Sequence, residues 1–159
     1  MTESLATDTH WRYNHLGHWL RLALERFDSR VMDLMARDTG VPLGLSNLVV
    51  RRQLGAAHIH ITRHLALEGS RLTDLAVRAG MTKQAMGTLV NQCEAWGLVT
   101  REDDPLDARA RKVRFTGVGL AWLSAYTEAV ANAQEEMRAA TSPEGSTVIT
   151  LGLEAYCSQ

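Results

Sequence analysis

Apolar residues recur at two different periods along this chain, and the change from one to the other falls at Gly97. Between residues 82 and 96, Ala85, Met86, Leu89, Val90, Cys93 and Trp96 follow helical spacing, which makes one stripe that must face a core. Thr82 is a good N-cap and Gly97 a good stop. The opposite face carries Gln84, Gly87, Thr88 and Asn91, side chains that are short and polar or absent. Beyond Gly97 the period becomes two. Leu98, Val99, Thr100 and Arg101, then Lys112, Val113, Arg114 and Phe115, predict two short antiparallel strands. Between them Asp103, Asp104, Pro105, Leu106 and Asp107 form a polar turn fixed by its proline.

The flanking segments are helical. Residues 13–36 place Leu16, Leu20, Ala23, Leu24, Phe27, Val31, Leu34 and Met35 on one stripe, opposite Arg21, Glu25, Arg26, Asp28 and Arg30. Residues 38–47 contain Gly, Pro and Ser and read as a turn region that breaks the helical period. A second helix is expected from about residue 48 or 54 to 68, with Leu54, Ala57, Ile61 and Leu65 inward. Gly69 and Ser70 would end it and cap a short third helix bearing Leu72, Leu75, Ala76 and Ala79. Gly80 then makes the tight turn into the helix at 82, the arrangement of a helix-turn-helix pair.

After the hairpin, residues 119–140 repeat Leu120, Leu123, Tyr126, Thr127, Val130 and Ala133. Ser142 and Pro143 mark a stop and a new start. A last helix to about residue 156 carries Val148, Ile149, Leu151, Leu153 and Tyr156. The terminal helices hold more apolar surface than a small winged core can bury, which predicts a second copy of the chain as partner.

Charge changes this picture once it is divided along the sequence. The net charge is only −1, yet residues 51–115 hold 11 Lys and Arg against 7 Asp and Glu, a balance of +4, and the remainder holds 6 against 11, or −5. Arg109, Arg111, Lys112 and Arg114 crowd the returning arm of the hairpin. A neutral helix face backed by a cationic ribbon fits duplex DNA: short polar side chains reach base edges in the major groove, and the cations meet phosphates.

The hairpin also resembles a known family. Asp107, Ala108 and Arg109, then Phe115 and Thr116, then Gly119, are similar to the Asp-x-Arg, Leu-Thr, x-x-Gly wing signature of the MarR family of bacterial transcription regulators. Leu72, Thr73, Asp74, Leu75 and Ala76, and Glu94 with Gly97, Leu98 and Val99, resemble that family's second and third helix motifs. The likeness spans roughly residues 54–123. It implies a mainly α fold, a winged helix-turn-helix with long terminal dimerisation helices. Residues 11–46 and 117–159 would dimerise and residues 47–116 would bind DNA, as one intertwined domain.

The resemblance further implies a homodimeric repressor on a pseudo-palindromic operator, released by a small effector, often aromatic or lipophilic. The expected DNA-binding residues are Thr82, Lys83, Gln84, Gly87, Thr88, Asn91, Asp107, Arg109, Arg111 and Lys112. Arg109 would enter the minor groove, and Asp107 would orient the wing by pairing with a neighbouring cation. Gly87 stands where the family usually has a hydroxyl residue, and close backbone approach to DNA is one account of it. Trp11, His15, Trp19, His60, Arg63 and His64 are the candidate effector-binding residues, a set suited to a planar anion such as an aromatic carboxylate. Trp122 and Tyr126 would line the same cavity or fill core.

Other chemistries find few parts. His60 and His64 stand at i, i+4, a zinc-chelating spacing, but no third ligand is identifiable, and no cofactor is expected. Cys93 and Cys157 are too few for a disulfide framework and are expected as reduced thiols. Oxidant or metal sensing on the same fold is the alternative reading. An enzyme is not expected, since neither a nucleophile elbow nor a Gly-rich phosphate loop appears. A winged module used only for protein assembly would leave the wing cations without a purpose. At 159 residues, 45% hydrophobic and 22% charged, the chain fits one domain with no membrane span. The polar first ten residues lack a signal sequence, so the cytoplasm is the expected location.

Overall fold

The structure, a computed structural model, describes residues 10–104 and 107–158, leaving aside the side chains of Ala56, Ala57, Ile59, His60, Ala108 and Arg109. A 3-10 turn at His10–Arg12 leads into α1 (Leu16–Arg37), followed by α2 (Leu43–Val50), α3 (Ala56–His64) and β1 (Ser70–Arg71). Then come α4 (Leu72–Arg78), α5 (Lys83–Ala95), β2 (Val99–Asp104), β3 (Asp107–Phe115), α6 (Gly117–Thr141) and α7 (Pro143–Cys157). In the sheet β3 lies between β1 and β2, antiparallel to both. The fold is a mainly helical winged helix-turn-helix.

Local chemistry sets the elements around the wing. Thr82 is extended and accepts from the Ala85 amide at 3.1 Å, capping α5. Gly97 ends the helix with φ +74, a left-handed turn that costs a residue without Cβ little. Thr116 caps α6, accepting from the Gly119 amide at 3.0 Å while donating to the Gly97 carbonyl at 2.5 Å. A Cβ on Gly119 would lie 1.9 Å from the Leu98 carbonyl oxygen, so only glycine lets the start of α6 abut the root of the wing.

The core joins Met35, Val41, Leu45, Leu54, Ile61, Leu75, Met86, Val90, Val113 and Trp122. Trp122 is fully buried, and its indole Nε1 donates to Thr62 Oγ1 at 3.1 Å, so the one polar atom it takes inside is satisfied. It fills core rather than lining a ligand cavity. α1 and α6 pack together and are pinned by Arg30, which donates twice to the Glu136 carboxylate at 2.6 and 2.7 Å.

Several sequence expectations need correction. Residues 38–47 are not all turn: Pro42 ends the loop and α2 starts at Leu43, burying Leu45 and Val49 one turn apart. Ser70 does not cap the third helix; it lies in β1, opposite Val113, and Arg71 occupies the cap position. Ala85 is exposed, because a core face through Met86, Leu89, Val90 and Cys93 leaves position 85 about 100° out of line. On α6 the buried residues are Trp122 and the small Gly119, Ala125, Ala129 and Ala133, which admit close packing; Leu120 and Thr127 face outward. The strands run to Asp104 and from Asp107, longer than the alternation predicts. The turn residues Pro105 and Leu106, and the inward placement expected of Ala57, lie outside the described residues.

Candidate nucleic-acid interface

The outer face of α5 presents Thr82, Lys83, Gln84, Thr88 and Asn91, all exposed. Lys83 and Glu94 are the charges on this helix, so the face is close to neutral. Its polar groups are partly ordered: Thr88 Oγ1 donates to the Gln84 carbonyl at 3.2 Å, and Asn91 Oδ1 accepts from Arg101 Nη2 at 2.6 Å. Gly87 is different. A Cβ there would stand 3.7 Å from Leu72 Cδ2, so the missing side chain points at α4. That is ordinary van der Waals contact, so the crossing of the two helices does not by itself require a glycine here.

Alternation along β2 turns Arg101 towards α5. One guanidinium nitrogen holds the Glu94 carboxylate and another holds Asn91, which fixes the root of the wing to the recognition helix. The far end of the wing is tied separately. Asp104 is only 3% exposed, and Arg71 Nε donates to its Oδ2 at 2.9 Å, with Lys112 Nζ 3.8 Å from Oδ1. Arg71 also lies 3.5 Å from Asp107. The hydrogen bond to Asp104, reinforced by its charge, raises the Arg71 pKa above the ordinary value. Neither tie is visible in the sequence. Asp104 reads as a solvated turn charge, and Arg71 precedes a helix with no pattern of its own.

These contacts change the electrostatic reading of the hairpin. Arg111 faces Asp103 at 3.7 Å and Arg114 faces Glu102 at 3.5 Å, so the basic β3 arm is matched by an acidic β2 arm. Arg111 is well exposed, and an exposed pair is worth on the order of 0–1 kcal/mol, so a phosphate can take it over. Lys112, partly buried beside Asp104, is less available. The Arg109 side chain lies outside the described residues.

Among the described side chains, the expected effector residues are not gathered in one chain. Trp11, His15 and Trp19 are exposed near the start of α1, where His15 Nδ1 serves as an N-cap, accepting from the His18 amide at 3.2 Å. Arg63 meets α1 at Asp28 (3.0 Å), nine residues or about 13 Å of helix past Trp19, and also donates to Tyr126 Oη at 2.9 Å. His64 is half-buried, and the His60 side chain lies outside the described residues. A cleft of about 660 Å³ opens instead between α1 and α2, lined among others by Leu24, Met32, Val49 and Leu54, with Glu25, Asp28 and Asp33. None of the five with described side chains, Trp11, His15, Trp19, Arg63 and His64, lines it. Among the described residues no group of three or more His, Cys, Asp or Glu could hold a metal ion, and no helix is long and apolar enough to cross a membrane. Burial pushes the Cys93 thiol up to about 12.

Residues 53–110, the span of the helix-turn-helix and most of the wing, match the model of the MarR family. Over that span the chain carries the sequence pattern of a MarR-family winged helix-turn-helix. No curated protein matches the sequence. Among solved structures, the transcriptional repressor CouR bound to a 23-mer DNA duplex is 20% identical, covering 91% of this chain and 93% of its own with a TM-score of 0.64. A probable transcriptional regulator from Pseudomonas aeruginosa is also 20% identical, over 91% and 97%, with a TM-score of 0.67. Bordetella bronchiseptica BpsR, whose DNA binding is regulated by 6-hydroxynicotinic acid, is 15% identical over 92% and 96%, TM-score 0.65. At these identities the likeness establishes the fold, and it extends through the terminal helices that the MarR family model leaves uncovered.

Proposed function

We propose that this MarR-family protein is a cytoplasmic, homodimeric transcription repressor that binds double-stranded DNA and is released by a small effector. The observation that carries the reading is the exposed polar face of α5 held against a wing tied at both ends. Such a preorganised helix and ribbon can enter adjacent grooves without reordering. Thr82, Lys83, Gln84, Thr88 and Asn91 are assigned to the major groove, and Arg109 and Arg111 to the wing contact. Asp107, through Arg71, orients the wing. CouR on its duplex supports this assignment by likeness of fold.

The dimer follows from what one chain leaves uncovered. Leu16 is 73% exposed, Trp19 55%, Leu151 59% and Tyr156 74%, and α7 buries no residue at all. A second copy laid along α1 and α7 would remove these apolar faces from water. The effector is assigned to the lipophilic class. The cleft between α1 and α2 offers apolar walls with Glu25, Asp28 and Asp33 set against, among the described residues, the single cation Arg52, a balance that disfavours the aromatic anion that the sequence alone points to.

A gel shift against the DNA upstream of the protein's own gene, run at two salt concentrations, tests the reading. Retardation that weakens steeply with salt is expected, since each phosphate contact releases counterions. Binding that ignores salt, or no binding at either concentration, contradicts it.

A further inference from the structure

An asparagine normally offers a base both halves of its amide. Adenine answers both, with N6 donating to the amide oxygen and N7 accepting from the amide nitrogen; guanine presents two acceptors, N7 and O6. Which base an asparagine selects therefore depends on which half is free, and at Asn91 the structure decides this. Arg101 Nη2 lies 2.6 Å from the amide, while another nitrogen of the same guanidinium holds Glu94. A guanidinium has donors only, so the amide atom facing it is the oxygen whatever the local packing. The nitrogen, with both its hydrogens, is then the half turned away from Arg101. The arginine cannot rotate off without also leaving Glu94, and its side chain is only 22% exposed, so the orientation is held from two sides.

We propose that Arg101, by occupying one of the two lone pairs of the amide oxygen, makes Asn91 read through its nitrogen, so that the operator half-site carries guanine, whose N7 and O6 both accept, in preference to adenine, whose N6 donor would meet that nitrogen. The inference rests on the DNA-binding reading and adds to it the polarity of one contact. Arg101 acts through Asn91 and is a positioning residue, with no contact of its own to the base.

Selection from a randomised duplex pool, using the full-length chain, tests it. The unmodified protein is expected to enrich guanine at one position of each half-site. Asn91→Ala should lose that preference, with about a tenfold fall in discrimination, and leave the other positions unchanged. Asn91→Asp keeps a partner for Arg101 but has no donor, so the same position should move to cytosine, whose N4 donates to a carboxylate. Arg101→Met frees the amide oxygen and should admit adenine. Adenine at the Asn91-dependent position in the unmodified protein overturns the proposal, and so does an Asn91→Ala variant that selects an unchanged sequence. Enrichment of no duplex by the unmodified protein overturns the DNA-binding reading and this inference with it, and is distinguished from the other outcomes by the absence of any selected sequence.

Discussion

The middle of this molecule satisfies itself and the two ends do not. From α2 through the first turns of α6, every helix and both strands of the hairpin bury residues in one shared core, caps at Thr82 and Thr116 use local hydroxyls, and the wing is tied by Arg101 and Arg71. The first half of α1 and all of α7 are helices of comparable quality whose apolar residues stay in water. Helix formation is thus no guide to which region is complete. The difference lies in packing partners: the middle leaves Leu43, Val50, Leu67 and Val77 in water beside a shared core, whereas the first half of α1 and all of α7 bury none of their apolar residues.

Breaking the comparison at its weak side should have the largest effect. The double variant Leu16→Ser, Leu151→Ser removes exposed side chains, so the helical circular dichroism signal and monomer fold should survive, surface changes being within about 0.5 kcal/mol. In a symmetric dimer each change counts twice. With about 2 kcal/mol per buried leucine, the dimer should weaken by a thousandfold or more, measured by sedimentation velocity. Loss of helicity instead would show that these faces are covered within the chain.

At the strong side, Trp122→Ala leaves a cavity and an unpaired Thr62 hydroxyl. A loss of about 3–5 kcal/mol is expected in denaturant unfolding; a change below about 1 kcal/mol would contradict the core assignment. A smaller effect sharpens the view of the wing as a paired ribbon. Asp103→Asn removes the partner of Arg111 and a carboxylate from the DNA side, so affinity should rise a few-fold at low salt and the gain should shrink at high salt. Smallest of all is the contrast between two thiols. Native protein should react with Ellman's reagent once, at exposed Cys157, and twice after denaturation. Because burial holds the Cys93 pKa up at about 12, its contribution to stability is complete below the unfolded thiol value of about 8.5 and declines as pH rises towards 12. Two fast-reacting native thiols would reopen redox sensing.

How much of this was legible in the chain differs by element. α5 carried most of its signature locally, a threonine cap, a buried stripe from which Ala85 falls out and a left-handed glycine, and the hairpin showed its two strands but not their length. α2 was hidden because Gly40 and Pro42 announce a loop and nothing announces where it stops. β1 is two residues long, and only its pairing with β3 defines it. The buried state of Asp104 depends on Arg71, 33 residues earlier, and the polarity of Asn91 depends on a strand ten residues later. Charge composition misled in the wing for the same reason: the sequence counts cations, and only the folded hairpin sets Arg111, Lys112 and Arg114 beside the acids of β2.

The central claim is that two incomplete ends bring two complete winged units onto one duplex. Sedimentation of the protein with a duplex carrying both selected half-sites, about one helical turn apart, tests it most directly. The account expects a single complex of two chains per duplex, and its loss when one half-site is displaced by five base pairs onto the opposite face. One chain per duplex, or equal binding at both spacings, would contradict it.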